Sequence, residues 1–130
     1  MSLSYNHIPL FFYAPFLLKK PEVKKDFVKQ IDIIPSLLDL TNISYNKNNF
    51  GINIWKEKRP FAFFSADDKI GIINDEFFLI YRKAVAESLF LYRKKDLKNY
   101  AKQFPLLVQE MKEYAFSNLQ SAHVIKDKLK

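Results

Sequence analysis

Phe61-Ala62-Phe63-Phe64, Ile70-Gly71-Ile72-Ile73, Phe77-Phe78-Leu79-Ile80-Tyr81 and Leu89-Phe90-Leu91-Tyr92 are four short runs rich in β-branched and aromatic residues. Between them stand Asp67-Asp68, Asn74-Asp75 and a charged patch at Arg82-Lys83. Turn residues separating such runs at short intervals signal an antiparallel meander. Downstream, Leu97, Tyr100, Ala101, Phe104, Leu107, Val108, Met111, Tyr114, Ala115, Leu119 and Ala122 recur at three-four spacing, the mark of an amphipathic helix. Pro105 interrupts that pattern, so the spacing predicts a short helix up to about Phe104 and a longer one from Pro105. The fold class is therefore α+β, a small antiparallel sheet with a C-terminal helix.

Upstream of the meander the texture differs. His7-Ile8-Pro9-Leu10-Phe11-Phe12-Tyr13-Ala14-Pro15 is apolar without alternation and bounded by prolines, which predicts a strand covered on both faces. Lys19 to Asp26 is charged and reads as a surface loop. Ile31-Asp32-Ile33-Ile34-Pro35-Ser36-Leu37-Leu38-Asp39-Leu40 predicts a short helix, with Asp32 as its N-cap and Pro35 in the first turn, where a missing N–H costs nothing. Its apolar face would be Ile34, Leu37, Leu38 and Thr41. A polar break from Asn46 to Asn49 ends at Phe50-Gly51. The expected organisation is one compact unit, with residues 1–50 forming strand, loop and helix and residues 51–130 the meander and C-terminal helices.

Composition narrows the chemistry. The chain has 130 residues, 48% hydrophobic and 16% aromatic, with 2 Gly, a balance that belongs to a folded domain rather than a disordered tail. Gly51 and Gly71 lie too far apart to form a phosphate-cradling glycine loop, and the absence of Cys removes thiol nucleophiles and zinc knuckles. The net charge of +7 divides as +2, +3 and +2 over residues 1–50, 51–100 and 101–130, with acids interleaved, which argues against a nucleic-acid partner. The longest apolar run, Ile8 to Leu18, is shorter than the roughly 18 residues of a membrane span, so no membrane insertion is expected.

No catalytic or metal-ligating set emerges from spacing. His7 and His123 belong to no metal motif, Asp67-Asp68 and Asp75-Glu76 read as solvated turns, and Trp55 beside Phe50 reads as packing. On the residues alone His7 is structural.

Two segments, in order, resemble the closing part of the sulfatase and phosphoglycerol-transferase branch of the alkaline phosphatase superfamily. His7-Ile8-Pro9 followed by large apolar residues ending in Pro15 resembles that family's last core strand. Gln30-Ile31-Asp32-Ile33-Ile34-Pro35-Ser36-Leu37-Leu38, followed by Phe50-Gly51, is similar to its helix-opening Gln-Ile-Asp-x-x-Pro-Thr-Leu-Leu motif and later Phe-Gly. The meander, with Lys69-Ile70-Gly71-Ile72-Ile73, is similar to the lipoteichoic-acid-synthase-like members. Phe16 replaces a common Gly, Ser36 the usual Thr, and Thr41-Asn42 a Gly-containing helix end.

The resemblance implies a C-terminal scaffold fragment of a metal-dependent enzyme acting on sulfate or phosphate esters, inactive alone. The nucleophile (Thr, Ser or formylglycine) and the ligands of a divalent metal (Mn, Mg, Ca or Zn) would lie upstream of His7, in a parent of the kind often membrane-anchored with its catalytic domain outside the cytoplasm. It also implies His7 as a neighbour of the transferred group, with no catalytic or metal residue in this chain. The partner expected is the missing N-terminal catalytic part, and the isolated chain is expected to self-associate. The competing expectation is a free-standing protein-interaction module without catalysis.

Overall fold

Residues 7–47, 49–94 and 96–128 are described by the computed structural model. They pack as two compact units that meet in sequence at Arg59 and Pro60. The division falls there rather than after Phe50 because Ile52, Ile54, Trp55 and Arg59 all bond back to the helix that precedes them.

In the unit from Pro60 onward the meander forms with each strand within two residues of its expected bounds. β1 (Ala62–Ala66), β2 (Lys69–Ile73), β3 (Phe77–Arg82) and β4 (Ser88–Leu91) lie in sequence order, every neighbour antiparallel. Asp67 takes a left-handed backbone (φ 53°) in the first turn. The second turn is tied by Asn74, whose Oδ1 accepts from the N–H of Glu76 at 3.0 Å and of Phe77 at 2.7 Å. Short polar side chains that bond their own backbone make such turns self-sufficient.

Alternation then assigns the faces. Ile70, Ile72, Leu79, Tyr81, Leu89 and Leu91 face α2 (Pro105–Lys128), and their neighbours in the core are Phe61, Phe77, Val108, Met111 and Ala115. Ile72, Leu79, Leu89, Met111 and Ala115 are completely buried. The opposite face carries Phe64, Phe78, Ile73 and Ile80, and the stacked Phe64 and Phe78 rings lie over Gly71, where a Cβ would come within 2.9 Å of both. The outer edge of β4 is closed by Asn99 and Tyr100: Asn99 Oδ1 accepts from Leu89 N–H at 3.0 Å, and Tyr100 N–H donates to the Leu89 carbonyl at 2.8 Å.

Residues 96–104 are not the short helix that their spacing predicts. A 3₁₀ turn at Tyr92–Lys94 comes earlier, and turns about Tyr100 lead into Pro105. The bonds that cap β4 occupy Asn99 and Tyr100, so tertiary pairing overrides the local periodicity. α2 starts at Pro105 as expected, where a residue without an N–H is best tolerated.

The unit ending at Arg59 contains one α-helix, α1 (Ile33–Leu40), preceded by a 3₁₀ turn at Gln30–Asp32. α1 closes in a Schellman arrangement: Asn42 is left-handed (φ 55°), its N–H donates to Asp39, and Ile43 N–H reaches Leu38 at 2.8 Å. Asn is the residue that, after glycine, adopts this conformation most readily, so Thr41-Asn42 ends the helix where the resembled family uses glycine.

Two expectations fail in this unit. Residues 7–14 form no strand; they are irregular and largely exposed, with Phe11 84% and Tyr13 93% accessible, as is Phe16 in the turn that follows. A strand covered on both faces needs neighbours on both sides, and no described strand pairs with this segment. The predicted inward face of α1 also fails, since Ile34 and Leu37 are exposed while Asp32, Pro35 and Ser36 are buried.

Candidate functional site

Asp32 organises the unit that carries the family-like motif. Its side chain is completely buried and makes no cap bond to α1; instead its carboxylate accepts four hydrogen bonds from three residues. Oδ2 accepts from Lys29 N–H at 2.7 Å and from Arg59 Nε at 3.1 Å, while Oδ1 accepts from Ile52 N–H at 2.8 Å and from Arg59 Nη2. The Arg59 guanidinium is itself buried, and its Nη2 also donates to the Phe50 carbonyl at 2.7 Å. A buried charge is tolerated only when paired and fully hydrogen-bonded, and this pair meets both conditions. Burial pushes the Asp32 carboxyl up, but the bonds from Arg59 and from the Ile52 and Lys29 amides outweigh it and hold the group below its ordinary value. Lys29 is lowered by burial and by the nearby Arg59 charge, against the raising effect of Asp32.

Ser36, one helical turn on, knits the same loop to α1. Its hydroxyl donates to the Asp32 carbonyl at 2.5 Å and accepts from Ile54 N–H at 3.2 Å, and its carbonyl accepts the Trp55 indole N–H at 2.9 Å. Trp55 packs edge-on to Phe12 at 5.4 Å with the Lys24 ammonium over its face, so it is part of the packing rather than a platform with Phe50. Gly51 is required by space. A Cβ there would lie 2.2 Å from the Ile31 carbonyl oxygen and 2.9 Å from Pro35 Cγ.

The network is closed to substrate, because every Asp32 oxygen is occupied and no part of the side chain reaches solvent. Its work is to hold the helix opening, the Phe50-Gly51 turn and Arg59 in one geometry. Arg59 escaped the sequence reading; the signal that could have found it is the need of a buried Asp32 for a cationic partner, met 27 positions downstream.

The remaining sequence candidates lie apart. His7 is exposed at the start of the irregular segment. His123 is exposed on α2, 3.5 Å from Asp127. Asp67 and Asp68 occupy the β1–β2 turn, and Asp75 and Glu76 the β2–β3 turn. Among the described residues no three His, Asp or Glu side chains gather as a metal site would require. No helix among them is long and apolar enough to cross a membrane. No protein-family model matches the chain, and no curated protein matches its sequence.

Proposed function

We propose that the chain is the C-terminal scaffold of a metal-dependent sulfatase or phosphoglycerol transferase acting on sulfate or phosphate esters, inactive by itself. The observation that carries this reading is the inversion of the unit ending at Arg59. It buries Asp32, Ser36 and Arg59 and turns Ile8, Phe11, Tyr13, Phe16, Ile34 and Leu37 outward. Large apolar side chains exposed in this number within one unit support contact with further protein. The residues that the buried network holds in place, Asp32 to Ser36 and Phe50-Gly51, are those that carry the family resemblance.

Under this reading the upstream part of the same protein covers the apolar residues and supplies the nucleophile and a divalent metal, so no chemical step belongs to this chain. The described residues do not fit a metal site. His7, at the entry to the exposed segment, is then a neighbour of the transferred group.

The test is to translate the genomic DNA preceding the Ser4 codon and to assay the longer protein. An open frame bearing an Asp-His pair and a Thr, Ser or Cys nucleophile is expected, as is Mn-dependent hydrolysis of p-nitrophenyl phosphate or sulfate by the longer protein and none by this chain. In that enzyme His7→Ala lowers turnover; unchanged turnover removes His7 from the site. A stop codon directly before Met1 transfers the apolar surface to a protein-interaction module.

A further inference from the structure

At the far end of the meander, where the β1–β2 and β3–β4 turns lie together, two cations stand side by side. Lys69 and Arg82 are direct cross-strand partners at the ends of β2 and β3. Alternation puts both on the face away from α2, in line with Gly71, Ile73, Phe78 and Ile80. The neighbour of Lys69 on its other side is Ala66, and the β3–β4 ladder stops at Ile80 and Ser88, so no acid stands across from either cation. Among the described residues no ion pair includes Lys69, Arg82 or the adjacent Lys83. Asp67 and Asp68 are exposed in the turn and bond to none of the three, and Glu87 is taken by Lys112.

Like charges directly opposite each other destabilise a sheet, and a buried donor without an acceptor costs more than the same donor in water. Both conditions meet here. Arg82 is half-buried, and its Nε is buried without a hydrogen-bond partner among the described residues. A structural arginine normally pairs with a carboxylate; this one stands opposite another cation in the strand register.

We propose that Lys69 and Arg82 form a binding site for a phosphate group. A tetrahedral dianion takes the planar Arg fork and the Lys ammonium together and brings two negative charges to the two cations, whereas a monocarboxylate brings only one. Lys83 adds charge at the mouth, and the stacked Phe64 and Phe78 rings supply an apolar wall on the same face. The phosphate comes from a small phosphoester or from a phospholipid headgroup, which share this chemistry. The site is independent of the reading given above for the unit ending at Arg59.

The experiment is a titration of the ¹⁵N-labelled chain with inorganic phosphate at low ionic strength, against sodium chloride at matched ionic strength. Saturable shifts confined to the amides around Lys69, Gly71, Arg82 and Lys83 are expected. Arg82→Gln should weaken binding by roughly tenfold or more, the loss of a charge-assisted bond. Arg82→Lys, which keeps the charge and loses the fork, should fall between. If Arg82→Gln unfolds, Lys69→Gln at the strand end provides the same comparison. A parallel arm follows co-sedimentation with vesicles of phosphatidylglycerol in phosphatidylcholine. Binding of inorganic phosphate assigns a small ester, and binding to vesicles alone, lost in Lys69→Gln, assigns a headgroup. Equal shifts with chloride, undiminished binding in the variants, or binding to neither probe overturns the proposal.

Discussion

The two units are opposites in what they hide. From Pro60 onward the interior is hydrocarbon: Ile72, Leu79, Leu89, Met111 and Ala115 are sealed between sheet and helix. Before Pro60 the sealed side chains are an aspartate, an arginine and a serine with one proline, Pro35, among them, while Phe11, Tyr13 and Phe16 face outward. The first arrangement is a core in the ordinary sense, stabilised by removal of apolar surface from water. The second is a buried hydrogen-bond network wearing an apolar exterior. A segment of that kind has its geometry set locally and its hydrophobic partner elsewhere, which is the physical basis for proposing that it is the edge of a larger domain.

The sharpest way to break the contrast is to remove one charge of the buried pair. Asp32→Ala strands Arg59 in a dry environment and should cost about 3–5 kcal/mol, read as lost hydrogen-exchange protection in residues 29–59. Protection in β2, β3 and α2 should persist; its collapse would show that the network supports both units. Leu79→Ala is the counterpart, emptying a completely buried position at an expected cost of about 2–5 kcal/mol, with the loss of protection now falling in the sheet and α2. A melting temperature that does not move would mean that the interior around Leu79 collapses to fill the space.

Gly51→Ala tests close packing rather than charge. Its methyl would collide with the Ile31 carbonyl, and overpacking of this kind costs about 1–3 kcal/mol in a urea titration. The response to acid separates the units next. The Asp32 carboxyl is depressed in the folded chain, so its contribution is present above the ordinary aspartate range and is lost as pH falls through the lowered value. Exchange protection in residues 29–59 should therefore weaken below about pH 4 before protection in the apolar core does. The reverse order would overturn the role given to Asp32. The smallest effect belongs to the surface pair of Lys58 with Asp26: Lys58→Ala should change stability by no more than about 0.5 kcal/mol.

Legibility from sequence follows the same division. The meander and α2 could be read because alternation, turn residues and helical spacing act within a few positions, and because their partners lie nearby in the chain. Where the reading failed, the deciding interaction was distant. The periodicity up to Phe104 yielded to the bonds of Asn99 and Tyr100 with β4. Asp32 stands at the N-cap position of α1 as its neighbours suggest, but its side chain makes no cap bond there; besides the Lys29 amide its partners are Ile52 and Arg59, 20 and 27 positions away. The His7–Pro15 run stated a need for burial on both faces, but apolar character does not specify which residues will cover it.

By itself the sequence determined the α+β class, the four antiparallel strands in their order, and the start of α2 at Pro105. Those features rest on local sterics and on side-chain periods of 2 and 3.6, which any short window contains. Only the tertiary structure decided that α1 turns Asp32, Pro35 and Ser36 inward, that Arg59 neutralises Asp32, and that Lys69 meets Arg82 across the sheet. Each of these depends on burial or on charges meeting through space, where local propensity has no hold.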